Sequence, residues 1–134
     1  MWMELEPIIL GRRCRVYGLQ TSGGCLAKEF LATQEQTMPE EVAKMMRLLD
    51  YTAQHGPPKN DEKCNTLCHE IFEFKTTKLR LAWFWDAGYV IVCSHGWLKK
   101  SQKSPRAEID RAVTARAAYF KAKQEKKVRT LDPK

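Results

Sequence analysis

The chain has 134 residues, 43% of them apolar, four of them tryptophan, and a formal net charge of +7. That length suits one domain with a single modest core, and the apolar fraction excludes a disordered chain. No apolar run approaches the roughly 18 residues of a membrane span, and the start MWMELEPIIL interrupts its apolar stretch with Glu4 and Glu6, so a cytoplasmic protein with no membrane partner is expected. Five cysteines, an odd and scattered set, read as free thiols of a reducing compartment.

In chain order, Arg13 to Leu19 (RCRVYGL) has the composition of a short strand, ending in the turn Thr21-Ser22-Gly23-Gly24. Leu26, Phe30 and Leu31 then keep helical spacing, with Ser22 as a possible cap. Thr37-Met38-Pro39-Glu40 reads as a capping box, and Val42, Met45, Met46, Leu49 and Ala53 follow at helical intervals until Gly56-Pro57-Pro58. Lys59 to Asn65 is polar and reads as a loop.

The period then changes to two. Glu70 to Lys75 (EIFEFK), Leu79 to Trp85 (LRLAWFW) and Tyr89 to His95 (YVIVCSH) are three strands, with Asp86-Ala87-Gly88 as the turn before the last. After the loop Gly96 to Lys103, Ser104-Pro105 opens a long helix marked by Ile109, Ala112, Val113, Ala117 and Phe120. The order is β-α-α-β-β-β-α, an α+β fold in which an antiparallel meander packs with two N-terminal helices and one C-terminal helix. Residues 1–125 form the domain, and the basic stretch 126–134 is expected to be a fraying, flexible tail.

Charge is unevenly placed. Residues 1–74 hold eight Lys/Arg against eleven Asp/Glu, whereas residues 75–134 hold fifteen against five. A polyanionic partner for the second half accounts for this division, and a solvated basic surface is the other reading. In LRLAWFW, Leu79, Leu81, Trp83 and Trp85 share a core face while Arg80, Ala82 and Phe84 share the opposite one, which is free to carry a binding surface. If the first two strands pair, Lys75 lies near Arg80, and Lys99-Lys100 follow the third strand closely enough to close over the same face. Aromatic residues on a meander are ordinarily core, which leaves Trp97 as the candidate for base stacking. Cys64, Cys68, His69, Cys93 and His95 are soft ligand types. Their spacing does not suit a metal, because Cys68 and His69 diverge and Cys93 and His95 share a strand, so neither metal nor cofactor is expected.

The run from Ile71 to Ala112 resembles the phage-derived, HigB-like branch of the RelE toxin superfamily. The residues that carry the likeness are Glu73 with Lys75, Arg80, Gly88, His95-Gly96-Trp97, Lys99-Lys100, Lys103-Ser104-Pro105 and Glu108-Ile109. The resemblance implies a RelE-like domain and the toxin of a type II toxin–antitoxin system. Such a toxin is a metal-independent mRNA endoribonuclease (an mRNA interferase that inhibits translation), acting on free or ribosome-bound mRNA. It also implies a neutralising antitoxin with a helix-turn-helix DNA-binding domain. The RNA's 2′-hydroxyl is the nucleophile in such enzymes, so the site must supply proton transfer and cations for the phosphoryl oxygens. On that basis Arg80, His95 and Lys99 are the expected catalytic residues, and Lys75, Lys78, Trp97, Lys100 and Lys103 the expected RNA-binding ones. Two departures, Lys75 where the family pattern commonly has Arg and a short turn from Lys75 to Arg80, keep open a catalytically silent nucleic-acid- or antitoxin-binding protein on the same fold. The related ParE branch shares the architecture while acting on DNA gyrase, so fold alone does not choose the target.

Overall fold

The computed structural model describes residues 2–132. Its elements are β1 (Met3–Leu10), β2 (Arg15–Thr21), β3 (Gly24–Cys25), α1 (Leu26–Glu35), α2 (Pro39–His55), β4 (Cys64–Cys68), β5 (Ile71–Lys75), β6 (Leu79–Asp86), β7 (Val90–Leu98), α3 (Arg106–Gln124) and β8 (Val128–Thr130). They make a mixed α+β domain of three helices and an eight-stranded sheet, in the order β4-β5-β6-β7-β2-β1-β8 with β3 paired to β2. The meander β4 to β7 is antiparallel, and β7 joins β2 in parallel.

Every expected element is present, and four strands join them; the last meander strand runs on through Gly96, Trp97 and Leu98, read as loop, because these pair with Leu81, Arg80 and Leu79. β1 was hidden by Pro7, which removes a ladder donor and sits at a register irregularity, beyond the three residues that β8 pairs. β4 begins inside the stretch read as a loop. It reaches β5 through a turn in which Glu70, not glycine, takes a φ of 67°, so no glycine marks the hairpin. β3 is a two-residue return onto β2. The tail expected to fray instead carries β8, which pairs in parallel with β1, and the Leu131 N–H donates to the Leu5 carbonyl. Residues 133–134 of that tail lie outside the described residues.

The expected side-chain caps also differ. α1 begins after Cys25, α2 after Met38 and α3 after Pro105, none with a side-chain capping bond. Pro39 nonetheless occupies the first turn of α2, as its fixed φ favours.

Both faces of the sheet are covered. α1 and α2 pack Leu31, Val42, Met45, Leu49 and Ala53 against Phe74, Leu81, Trp83 and Ile91, the expected core face. Trp83 is stacked between Phe72 and Phe74, with ring centroids 4.7 and 4.9 Å away. The opposite face is not free: α3 returns across it, enclosing Ala82, Phe84 and Val92 with its own Ala112 and Tyr119. Ile109 and Phe120 are half-buried as the helical period suggests, but Val113 and Ala117 point to solvent. The rotation follows Tyr119, whose hydroxyl donates to Asp86 at 2.5 Å, while Lys123 pairs with the same carboxylate.

Gly96 shows how tightly α1 meets the sheet. A Cβ at this position would stand 2.4 Å from Phe30 Cδ2 and 2.9 Å from Phe30 Cγ, so the whole ring would have to move. Gly96→Ala is expected to lose about 1–3 kcal/mol of stability through overpacking, measured as a lower urea midpoint. In a Phe30→Leu background the same change should cost less, and an equal cost in both backgrounds would contradict the contact.

Candidate functional site: a cationic cleft at the end of the β5–β6 hairpin

The site grows from the turn Thr76-Thr77-Lys78. Lys75 and Arg80 face each other as the last pair of the β5–β6 ladder. The turn is closed by the Thr76 N–H donating to the Leu79 carbonyl at 3.0 Å and the Leu79 N–H donating to Thr76 Oγ1 at 3.1 Å. Glu41, from the first turn of α2, reaches under it and is only 7% exposed as a residue. That carboxylate accepts from Thr76 Oγ1 and from the Lys78 N–H, each at 2.6 Å, and lies 3.4 Å from Lys44 Nζ. Burial alone would push the Glu41 pKa up, but these donors outweigh it and hold the carboxyl below the ordinary carboxylate range.

Arg80 is treated similarly. One terminal nitrogen donates to the Thr76 carbonyl at 2.6 Å and the Leu79 carbonyl at 2.9 Å, and its Nε stands 3.9 Å from Glu73. Burial lowers its pKa against the pull of Glu73 and Glu41, yet a guanidinium remains charged at any physiological pH. Glu73 is itself 4% exposed and accepts from the Ser104 hydroxyl at 2.7 Å.

Above this turn lies a cleft of about 910 Å³, bounded by α2, the loop after it, the hairpin turn and the loop after β7. Lys44, Arg47, Lys59, Lys63, Lys75, Arg80 and Lys99 line it, against Glu62 as the acid among the lining residues. Lys44 and Arg80 each have an acid within 4 Å behind the cleft wall, Glu41 and Glu73, and Lys59, Lys63, Lys75 and Lys99 are further cations of the lining, so the concavity carries an excess of positive charge. Lys75 Nζ donates to the Asp61 carbonyl at 2.9 Å, which ties the loop to the strand. The Lys99 N–H donates to the Lys78 carbonyl at 2.9 Å and fixes where β7 leaves the sheet.

Of the residues singled out from sequence, the cleft gathers Lys75, Arg80 and Lys99. Lys78 sits on the turn, with its N–H given to Glu41 and its side chain outside the cleft lining. Lys100 and Lys103 are exposed beyond the rim. Trp97 is 7% exposed and packs on His95 within the α3-side cluster, which removes its faces from any base. His95 is 3% exposed, with Nδ1 3.0 Å from Ser94 Oγ and Nε2 3.1 Å from Glu108. Burial, and the neighbouring Arg111, push its pKa down more than Glu108 raises it, so the ring is neutral near neutral pH. Cys64 and Cys93 face the α1–α2 layer while Cys68 and Trp97, beside His95, belong to the α3 layer, so the soft ligand types do not converge. All five cysteines are free thiols.

Sequence reasoning missed Lys44, Arg47 and Tyr51 of α2 and Lys59 and Lys63 of the following loop. They stand in the half of the chain whose net charge is negative, where Glu40, Glu41, Asp50, Asp61 and Glu62 mask them. The available signal was the spacing 44, 47, 51, which places all three on one helical face.

Fold and cleft together define a small α+β domain with a cationic cleft at one end of its sheet. Residues 30–127, from within α1 to the residue before β8, match the family described as Phage derived protein Gp49-like (DUF891). The chain belongs to this family, which lies within the RelE/ParE-like toxin superfamily and is associated with toxins of toxin–antitoxin systems. No curated protein matches the chain. No helix among the described residues is long and apolar enough to cross a membrane.

Because the Glu41 pKa is depressed in the fold, its stabilisation is complete above the ordinary glutamate value of about 4.3 and is lost as pH falls through the lower folded value. Glu41→Gln is therefore expected to unfold about 1–3 kcal/mol more easily at pH 7, with the gap to wild type closing towards pH 3. Guanidinium melts at the two pH values measure it, and a gap that persists at pH 3 would contradict the carboxylate's role.

Proposed function

We propose that this protein is the toxin of a type II toxin–antitoxin system, of the HigB-like branch, and that it cuts mRNA without a metal ion. The observation that carries the reading is the meeting of Lys75, Arg80 and Lys99 with four further cations in one cleft. In the proposed reaction an RNA backbone bends into the cleft and a 2′-hydroxyl attacks the adjacent phosphorus. The new bond closes a 2′,3′-cyclic phosphate as the bond to the 5′-oxygen breaks, leaving a 5′-hydroxyl. Arg80 stabilises the charge that builds on the phosphoryl oxygens, and its bonds to two turn carbonyls hold it in place before substrate arrives. Lys99 gives its proton to the departing 5′-oxygen, and Glu62, the carboxylate in the cleft lining, takes the proton of the 2′-hydroxyl. Lys75 neutralises a flanking phosphate. His95, enclosed with Glu108 and Ser94, serves in this reading to position α3 and not to transfer protons.

A second reading has its own support. The hydrogen bonds of Arg80 to the turn make it a structural pin, which suits a nucleic-acid-binding protein without catalysis. Induced expression in bacteria with mapping of mRNA ends separates the two. Growth arrest with new 5′-hydroxyl ends, reduced at least about 100-fold by Arg80→Ala in a variant that still melts cooperatively, is the expected result. Salt-dependent RNA binding with no new ends would favour the silent protein, and a folded wild type that neither cuts nor binds RNA would sink both. Three neutralised phosphates predict that log affinity for a single strand falls with log salt at a slope of about −2. A flat dependence would exclude the cleft as the phosphate site.

A further inference from the structure

A second, shallower hollow adjoins the cationic cleft. Arg47 and Tyr51 line both, and the smaller hollow, about 450 Å³, is completed by Met46, Asp50, Gln54 and His55. Helical spacing puts Arg47, Tyr51 and His55 in one row and Met46, Asp50 and Gln54 in the next. Tyr51 remains 49% exposed although the His55 ring braces it, with centroids 4.8 Å apart. An aromatic ring left half open beside the cations Lys44 and Arg47 has the composition of a stacking platform.

We propose that this hollow is a nucleobase subsite. A single-stranded nucleotide whose phosphate lies in the cationic cleft would stack its base on Tyr51 and present the base edge to Asp50 and Gln54. The inference rests on the phosphate-binding reading of the cleft and goes beyond it, because phosphate contacts position a strand without reading it. Unstacked bases of single strands are the ones that an aromatic side chain can accept and whose edges neighbouring side chains can bond. Arg47 stands at the junction, where a nucleotide's phosphate and base diverge. An ionised carboxylate is an acceptor only. Asp50 therefore favours a base with an exocyclic amine at its edge, such as cytosine, over uracil, which offers a carbonyl oxygen there. Gln54 carries both a donor and an acceptor and complements the adjoining edge position.

The test uses the full chain and 2′-O-methyl RNA pentamers, which cannot be cut by the 2′-hydroxyl route, with cytosine, uracil or an abasic site at the centre. Affinities are read by fluorescence anisotropy at low and moderate salt. Wild type should bind the cytosine strand at least about fivefold more tightly than the abasic strand, the worth of one stacked base. Tyr51→Leu should erase that difference while keeping the abasic affinity, and Asp50→Ala should erase the preference for cytosine over uracil. Both side chains are exposed, so the fold is not at stake. Equal binding of all three strands by wild type, with a steep salt dependence, would overturn the base subsite and leave the phosphate cleft standing. Tyr51→Leu weakening the cytosine and abasic strands alike would also overturn it. No binding of any strand at low salt would bring down the phosphate reading and this one with it.

Discussion

Two buried carboxylates hold the cationic end of this protein together. Glu41 reaches from α2 beneath the β5–β6 turn, and Glu73 projects from β5 beside Arg80. A charge withdrawn from water is tolerated only with close partners. Each acid here has them: a hydroxyl and a backbone N–H for Glu41, and the Ser104 hydroxyl for Glu73. Their fields offset the cost of enclosing the Arg80 guanidinium, which would otherwise be a buried charge with only carbonyl partners. Lys44 and Arg80, two of the seven cations around the concavity, thereby each have an acid within 4 Å.

That arrangement also divides labour along the sheet. The broad middle of the sheet is closed on both faces, by α1 and α2 on one and α3 on the other, and serves as scaffold. The cationic cleft lies at the end where the hairpin turn, the α2–β4 loop and the exit of β7 come together, because there the backbone leaves its ladders and side chains can face water. The cleft draws on segments from Lys44 to Gln102, so its charge depends on tertiary contact and on no single motif.

The α3 side shows the same polar economy turned to structure. His95 bonds Glu108, Tyr119 bonds Asp86, and Lys123 joins that carboxylate, so three side chains fasten one helix to the meander. The run His95-Gly96-Trp97 looks like an active-site signature in sequence. In the fold each member has a packing reason: His95 pins α3, Gly96 admits the Phe30 ring, and Trp97 covers His95. Polar and aromatic residues spaced for chemistry are, at these positions, spaced for burial.

Local patterns alone were enough to read the three helices, the strands β2, β5, β6 and β7, the core face of β6 and the pairing of Lys75 with Arg80. Each of these depends on period-two or helical alternation over a few consecutive residues. Strands β1, β4 and β8 were not readable, since a proline, a non-glycine turn and a charged tail hid them, and β3 is only two residues long; of these, β8 depends on β1 from the far end of the chain. The basic second half was visible as charge. Only the packing of α2 against the hairpin decided that Lys44, Arg47, Lys59 and Lys63, from the acidic half, would join it, while Lys100, Lys103 and His95 would not. Composition counts charges along a line, whereas an electrostatic site sums them over the roughly 8–10 Å within which screening leaves them effective. Which charges fall within that distance is set by the fold.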